Sequence, residues 1–183
     1  EKTQIEMRSR SLVVGASGTG KTNYLTNYLY QAPNTFGRVI IVSKGIEEPL
    51  YEFLKAELKG SIVFYSLDQL PTVVEFDEKR EGDLETLIVF DDLVNDLKKD
   101  TKVKDYFIAG RKCGLTMIFL TQSYFKVSTT IRAQLSYLML LKVSSDQDLK
   151  RVLRDYSLGI SPEKLADMHQ EATNENFSFL KID

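Results

Sequence analysis

Cysteine, histidine and tryptophan are nearly absent from this sequence. Its 183 residues include one cysteine (Cys113), one histidine (His169) and no tryptophan. A single cysteine cannot form an internal disulfide, which is typical of proteins from reducing compartments. One cysteine and one histidine also fall short of the four ligands of a structural zinc site, so we expect no zinc.

Long hydrophobic runs are missing as well. The longest uninterrupted apolar runs, such as residues 137–141, are far shorter than the roughly 20 residues that cross a bilayer as a helix. Residues 1–10 carry five charged side chains and no apolar segment, so we expect no signal peptide. The sequence therefore predicts a cytoplasmic protein that is neither secreted nor bound to a membrane.

The composition predicts one globular domain. Hydrophobic residues make up 43% of the chain and charged residues 27%, and the length allows a single α/β domain with a substantial core. We expect residues 1–183 to form that domain, with residues 1–9 as a lead-in and a native chain that continues past the ends.

The net charge of −2 conceals an uneven distribution. Residues 98–154 contain 12 Lys and Arg against 4 Asp and Glu, whereas residues 1–97 and 155–183 carry net charges of −6 and −4. A basic segment between acidic ones indicates a polyanionic partner or, equally well, an ordinary solvated surface. Charge alone leaves both interpretations open.

The most specific motif is a phosphate-binding loop after the apolar run 10–14. The sequence Gly-Ala-Ser-Gly-Thr-Gly-Lys-Thr fits the pattern G-x-x-x-x-G-K-T. The glycines let backbone N–H groups surround an anion, and the helix that follows points its N-terminal donors at the same phosphates. Lys21 supplies charge for the β- and γ-phosphates, and Thr22 supplies a hydroxyl for Mg²⁺. The predicted nucleotide-binding residues are Gly15, Ala16, Ser17, Gly18, Thr19, Gly20, Lys21 and Thr22.

Two further polar groups follow apolar runs. Asp91 and Asp92 directly follow the apolar run 86–90, and Thr121-Gln122-Ser123 directly follow the apolar run 115–120. Ligands of open α/β sheets bind at the carboxyl ends of the strands, where the phosphate loop also lies. We therefore predict that Asp91 holds Mg²⁺, that Asp92 orients or deprotonates an attacking water, and that Gln122 senses the γ-phosphate. A solvated Asp-Asp turn is the alternative for the acidic pair.

Apolar runs and helix-like stretches alternate along the chain. Strands are predicted at residues 10–14, 38–42, 61–65, 86–92, 115–120, 137–143 and 177–182, with helices between them. This alternation predicts an α/β fold with a mostly parallel central sheet flanked by helices. The sequence contains no N-K-x-D or T-K-x-D guanine motif, which favours ATP over GTP.

The motifs together resemble the FtsK–HerA superfamily of DNA-pumping ATPases. The resemblance rests on G-A-S-G-T-G-K-T, L-I-V-F-D-D and A-G-R-K-C-G-L-T-M-I-F-L-T-Q-S-Y. The run G-L-T-M-I-F-L-T-Q-S-Y-F-K-V, the later T-I-R and Y-L-M-L-L-K, and the closing F-S-F-L-K-I-D are most similar to the genome-packaging ATPases of large double-stranded DNA viruses, of poxvirus type. The resemblance covers residues 10–183 and implies a RecA/FtsK-like P-loop NTPase fold.

The resemblance also implies roles for individual residues. Lys21 and Thr22 would contact phosphate and Mg²⁺, Asp91 the metal, and Gln122 the γ-phosphate. The superfamily commonly has Asp-Glu at the position where this chain has Asp91-Asp92. The viral packaging branch often has Asp-Asp there, so Asp92 would be the catalytic carboxylate. Such motors act as rings in which one subunit's arginine reaches the neighbour's γ-phosphate. Arg111 is the first candidate and Arg132 the second; an ordinary surface ion pair is the alternative for each.

The implied function is an ATP-driven translocase of double-stranded DNA that packages a viral genome into a capsid, in the cytoplasm of the infected cell or in the virion. Basic side chains would then grip DNA phosphates without reading bases: Lys98, Lys99, Lys102, Lys104 and Lys126. Three alternatives remain: a cellular or plasmid DNA translocase or helicase, an ATP-dependent assembly switch with little turnover, and a small-molecule kinase.

Overall fold

The structure is a computed structural model that describes residues 5–45, 47–78, 85–93, 100–143, 145–156 and 159–183. Within these ranges, strands and helices alternate along almost the entire chain. Their order is β1 (Arg10–Val14), α1 (Lys21–Gln31), β2 (Arg38–Ser43), α2 (Pro49–Glu57), β3 (Ile62–Tyr65), α3 (Val73–Glu78), β4 (Thr86–Asp91), α4 (Asp100–Ala109), β5 (Leu115–Thr121), α5 (Thr129–Arg132), β6 (Tyr137–Leu140), α6 (Asp146–Asp155), α7 (Pro162–Ala172) and β7 (Leu180–Ile182).

The strands form one sheet in the order β3-β2-β4-β5-β1-β6-β7. The pairings among β1 to β6 are parallel, and β7 pairs antiparallel with β6. The prediction of a mostly parallel sheet is therefore confirmed. In this order β5 lies between β1 and β4, so the strands that carry the phosphate loop, the polar Gln122 and the acidic pair are immediate neighbours.

Helices cover both faces of the sheet. Residues of α1 and α2 pack with one set of strand side chains, whereas residues of α3 to α7 pack with the other set. Leu87, Ile88, Val89 and Phe90 are fully buried, because the central strand β4 has a helix layer on each side. No helix in the described part of the chain has the length and apolar character that crossing a bilayer requires.

Two predicted strands are three residues longer than the observed ones, and the predictions for β3 and β4 are each one residue longer. β6 ends at Leu140 instead of residue 143, and β7 begins at Leu180 instead of residue 177. The later start of β7 has a backbone reason, because Phe177 has a φ of 65°, which an extended strand excludes. The charged stretch 68–83 is described only up to residue 78, and this part includes the short helix α3.

Candidate nucleotide-binding site

The predicted phosphate loop follows β1 and is fixed to the strands on both sides of it. The N–H of Gly15 donates to the carbonyl of Thr121 at 3.1 Å, and the N–H of Ala16 donates to the carbonyl of Lys142 at 2.9 Å. Gly20, which precedes the first residue of α1, has a φ of 104°, a conformation that glycine adopts without strain. A loop held in this way directs the N-terminus of an 11-residue helix toward its own concave side.

Lys21 folds over the loop. Its Nζ donates to the carbonyls of Gly15 at 3.0 Å and Ala16 at 3.1 Å. Burial lowers the pKa of the Lys21 ammonium, while the carboxylates of Asp91, Asp92 and Glu48 act in the opposite direction. The loop therefore holds a cation over its concave side, next to acidic groups from other elements.

Asp91 ends β4 as a buried carboxylate. Its Oδ2 accepts a hydrogen bond of 2.7 Å from the hydroxyl of Tyr51, a fully buried side chain on α2. Burial raises the pKa of Asp91, and the hydrogen bond from Tyr51 and the charge of Lys21 partly oppose that rise. Burial also raises the pKa of Tyr51, so its hydroxyl stays protonated and remains a donor.

Asp92 follows β4 in a left-handed backbone conformation, with a φ of 48°. This conformation is uncommon outside glycine but is tolerated by Asp. The Asp92 N–H donates to the carbonyl of Leu120 at 3.1 Å, and Nε2 of Gln122 donates to its Oδ2 at 3.0 Å. The second predicted carboxylate is thus coupled to the predicted γ-phosphate sensor by direct hydrogen bonding.

A cavity of about 320 Å³ joins these groups. It contains most of the predicted site residues, namely Ser17, Gly18, Gly20, Lys21, Thr22, Asp91, Asp92 and Gln122. It also contains three that the motifs did not predict: Asn23, Glu48 and Phe177. Asn23 could have been predicted, because it follows Thr22 in the first turn of α1. Glu48 and Phe177 belong to distant segments, and no motif near them in the sequence indicates a place in the site.

The residues present fit a magnesium nucleotide. Thr22 and Asp91 line the same cavity as Lys21, which is the combination of hydroxyl, carboxylate and cation that Mg²⁺ and phosphates require. Groups of three or more His, Cys, Asp or Glu side chains that could hold a metal are absent from the described ranges. Mg²⁺ does not need such a group, since substrate phosphates and water supply most of its ligands.

A larger cavity of about 550 Å³ lies between α3 and α4. Its walls include exposed apolar side chains, such as Val74 and Ile108, and none of the loop or strand-end residues described above. Size alone therefore does not identify the chemical site, because the smaller cavity contains the convergent charged groups.

The two candidate arginines lie in different environments. Arg111 is exposed in the turn before β5, at the amino ends of the strands and therefore at the sheet edge opposite the cavity. Arg132 is 5% exposed; its Nε pairs with Oδ2 of Asp155 at 2.7 Å, and its guanidinium lies 5.1 Å from the ring centre of Tyr124. In this subunit the Arg132 guanidinium is therefore engaged by Asp155 and Tyr124, whereas Arg111 is exposed.

The predicted DNA-gripping lysines also differ from one another. Lys102 donates from its Nζ to the carbonyls of Leu67 at 3.1 Å and Leu70 at 2.8 Å, so it braces the chain before α3. Lys104 is half-buried, whereas Lys126 is exposed in the loop after β5. Lys98 and Lys99 lie outside the described residues.

Comparison with protein families identifies the family to which the chain belongs. Residues 2–178 match the family described as the poxvirus A32 protein, which is nearly the whole chain. The chain belongs to the poxvirus A32 protein family. This match confirms the resemblance to poxvirus-type ATPases that the motifs predicted. No curated protein sequence matches the chain.

Solved structures confirm the P-loop NTPase fold. The DNA-packaging ATPase B204 from Sulfolobus Turreted Icosahedral Virus is similar with a TM-score of 0.66 and 15% identity, over 98% of this chain and 94% of that one. The genome packaging NTPase B204 from Sulfolobus turreted icosahedral virus 2, in complex with AMPPCP, gives a TM-score of 0.68 and 16% identity, over 96% and 92%. ATPases 2 and 3 of EccC from Thermomonospora curvata give 0.60 and 13%, over 93% of this chain and 37% of that one.

Proposed function

We propose that this protein is an ATP-hydrolysing translocase of double-stranded DNA that packages a viral genome into the capsid and works as a homo-oligomeric ring. One observation carries the proposal: a single cavity brings together the phosphate loop, Lys21, Thr22, Asp91, Asp92 and Gln122. Membership of the poxvirus A32 protein family supports the viral setting, in the infected cell's cytoplasm or the virion. The similar B204 proteins are a DNA-packaging ATPase and a genome packaging NTPase in complex with AMPPCP or ATP-gammaS, which supports the same activity.

The geometry supports a division of labour for attack of water on the γ-phosphate. The loop N–H groups and the Lys21 ammonium hold the triphosphate, since a phosphate is a stronger acceptor than the loop carbonyls that Lys21 now contacts. Thr22 and Asp91 would hold Mg²⁺, which when bound neutralises charge on the β- and γ-phosphates. Asp92 accepts the proton of the attacking water, and Gln122, already bonded to Asp92, positions that water.

The ring accounts for the position of Arg111. Because this residue lies at the amino edge of the sheet, it cannot serve the cavity at the carboxyl edge of its own subunit. A neighbouring subunit docked at that edge would receive the Arg111 guanidinium at its γ-phosphate, and such an arginine supplied in trans contributes about 10³-fold or more to the rate.

DNA binding follows from the basic segment without base-specific contacts. Sequence-blind movement requires lysines and arginines that contact phosphates only, and Lys126 is available for this role because it is exposed. Lys98 and Lys99 are proposed to contact DNA phosphates on the basis of sequence alone. Lys102 is not proposed for this role, because its Nζ donates to backbone carbonyls. Affinity for duplex DNA should fall steeply between low and moderate salt.

The decisive experiment is steady-state ATP hydrolysis with and without long duplex DNA, at low and high protein concentration. We expect turnover to rise with DNA and with protein concentration, and to fall about 100-fold or more in Lys21→Ala and in Asp92→Asn. Lys59→Ala, at an exposed position after α2, is the matched control and should retain wild-type turnover.

Other outcomes would identify the alternatives. Tight ATP binding without turnover under every condition would replace the motor with an ATP-dependent assembly switch. Turnover that responds to a small phosphate acceptor and ignores DNA would replace it with a small-molecule kinase.

A further inference from the structure

The segment between α7 and β7, residues 173–178, passes beside the phosphate loop. Together with Gly18, Thr19 and Lys142 it encloses a second cavity of about 120 Å³. Gly18 and Phe177 line both this cavity and the 320 Å³ cavity that contains Lys21 and Asp91. The two cavities are therefore adjacent, and a ligand whose phosphates occupy the first can extend into the second.

Phe177 has an unusual conformation at the junction of the two cavities. Its φ of 65° is rare for an aromatic residue, and such strain costs about 1–3 kcal/mol. Its ring lies against the loop so closely that a Cβ at Gly20 would overlap it. The side chain is nevertheless 56% exposed, so one surface of the ring remains open beside the cavities. Strain of this kind persists where surrounding contacts impose it and indicates a functional role.

Contacts at both ends hold the segment in place. At its start, Thr173 Oγ1 donates to the carbonyl of His169 at 2.8 Å, and Nε2 of His169 lies 2.8 Å from the carbonyl oxygen of Leu141, next to the loop. At its end, the Phe179 ring meets the Tyr24 ring of α1 edge-on, with the centroids 5.4 Å apart. The cavity wall between these anchors is thus pre-organised for a ligand.

The polar side chains of the segment are available for such a ligand. Among the described residues, Asn174, Glu175 and Asn176 have no side-chain hydrogen-bond partner. Asparagine both donates and accepts, which suits the mixed edge of a nucleobase or the hydroxyls of a sugar. The carboxylate of Glu175 offsets the ammonium of Lys142 in the lining, so the cavity has no net positive charge to select a further phosphate, and the ligand expected here is the uncharged part of a nucleotide.

We propose that the 120 Å³ cavity is the nucleoside subsite, in which the base stacks on the Phe177 ring and its polar edge or the ribose faces Asn174 and Asn176. The inference rests on the proposed function, because it assumes that the phosphates occupy the loop. It adds the position of the base and the residues that recognise it. A stacked base contributes enough for its loss to weaken binding about tenfold or more.

The test is calorimetric binding of two ligands, Mg-ADP and inorganic tripolyphosphate, to the full chain. We expect Phe177→Ala to weaken Mg-ADP binding about tenfold or more while tripolyphosphate binding stays unchanged. Phe177→Tyr should retain Mg-ADP affinity because it keeps the aromatic face. Phe53→Ala, which removes another exposed phenylalanine that lines neither cavity, should bind both ligands as the wild type does.

Three results would overturn the subsite. Unchanged Mg-ADP affinity in Phe177→Ala would show that no base stacks there. Equal losses for both ligands would show that Phe177 only shapes the phosphate loop. A wild-type protein that binds neither ligand would refute the proposed function and the subsite with it, whereas the first two results leave the proposed function standing.

Discussion

At the residue scale, Asp91 places a carboxylate in the wall of the cavity, at a buried position where ionisation of the side chain is unfavourable. Its side chain is buried at the end of β4, and burial raises its pKa above that of an ordinary aspartate. The Tyr51 hydrogen bond and the nearby Lys21 ammonium reduce this penalty without abolishing it. Burial of this carboxylate therefore lowers the stability of the ligand-free protein whenever the side chain is ionised.

We therefore predict that Asp91→Asn stabilises the ligand-free protein while abolishing Mg²⁺-dependent hydrolysis. In the presence of EDTA at pH 8, its Tm should exceed the wild-type value by about 2–4 °C, the shift that about 1 kcal/mol produces in a domain of this size. A raised native pKa means that the wild type gains stability as the pH falls and Asp91 takes up its proton. The difference in Tm should therefore shrink toward low pH. A lower Tm for Asp91→Asn at pH 8 would contradict this account.

At the element scale, α6 secures the loop that carries Gln122. The buried carboxylate Oδ1 of Asp148, in the first turn of α6, accepts from the N–H of Phe125 at 2.7 Å and from Oγ of Ser123 at 3.1 Å. These bonds fix the chain immediately after β5, where Gln122 meets Asp92. A helix outside the cavity thus determines the position of a side chain inside it.

Replacing Asp148 with alanine should loosen this loop. We expect Asp148→Ala to lose about 2–4 kcal/mol of unfolding free energy, since it leaves a backbone donor without its charged acceptor. At a temperature where the variant remains folded, kcat should fall about tenfold while KM changes little, because in the proposed mechanism Gln122 positions the attacking water. Asp146→Ala, at an exposed position in the same turn, is the control and should leave kcat unchanged. Equal kcat values for the two variants would exclude a positioning role for α6.

At the scale of the whole molecule, the cavity and Arg111 lie at opposite edges of the sheet. The proposed head-to-tail interface would close into a ring if its rotation returns to the first subunit, and each site would then be completed by the next subunit. The single chain accordingly contains every residue of the proposed site but does not bring all of them together.

Mixing two inactive variants tests this arrangement. Lys21→Ala retains its arginine and Arg111→Ala retains its phosphate loop, so an Arg111→Ala subunit next to a Lys21→Ala subunit has one complete site. A random equal mixture should then recover turnover at up to about a quarter of its interfaces. A mixture as inactive as either variant alone would argue against Arg111 acting in trans.

Arg132→Ala provides the contrast for that experiment. Because it breaks a largely buried ion pair with Asp155, it should lower the free energy of unfolding by about 2–3 kcal/mol, whereas Arg111→Ala should change it by about 0.5 kcal/mol or less. Urea unfolding of the two variants measures the difference. An Arg132→Ala protein of wild-type stability that had lost turnover would restore Arg132 as the trans-acting arginine.

The sequence pattern was sufficient to predict a feature wherever the residues that define it lie within one strand, helix or loop. The spacing of residues 15–22 predicted the phosphate loop, and the apolar runs predicted the strands, because buried parallel strands read as continuous apolar segments. Apolar character alone does not predict which side chains of α2 are buried: Phe53 is 49% exposed, whereas Tyr51 is fully buried. Tyr51 donates a hydrogen bond to Asp91, 40 positions away, and no pattern within the helix encodes that contact.

The sequence by itself determined the α/β architecture, the phosphate loop and the family, since each depends on neighbouring residues or fixed spacing. Only the tertiary structure decided that Tyr51 supports Asp91, that Arg132 is enclosed by Asp155 and Tyr124, and that Phe177 lies on Gly20. These contacts join segments far apart in the chain, and their identity depends on strand order and on the path of the connecting segments. No local pattern of apolar and polar residues encodes that path, which explains why motifs could indicate the candidate site residues but not the contacts that support them.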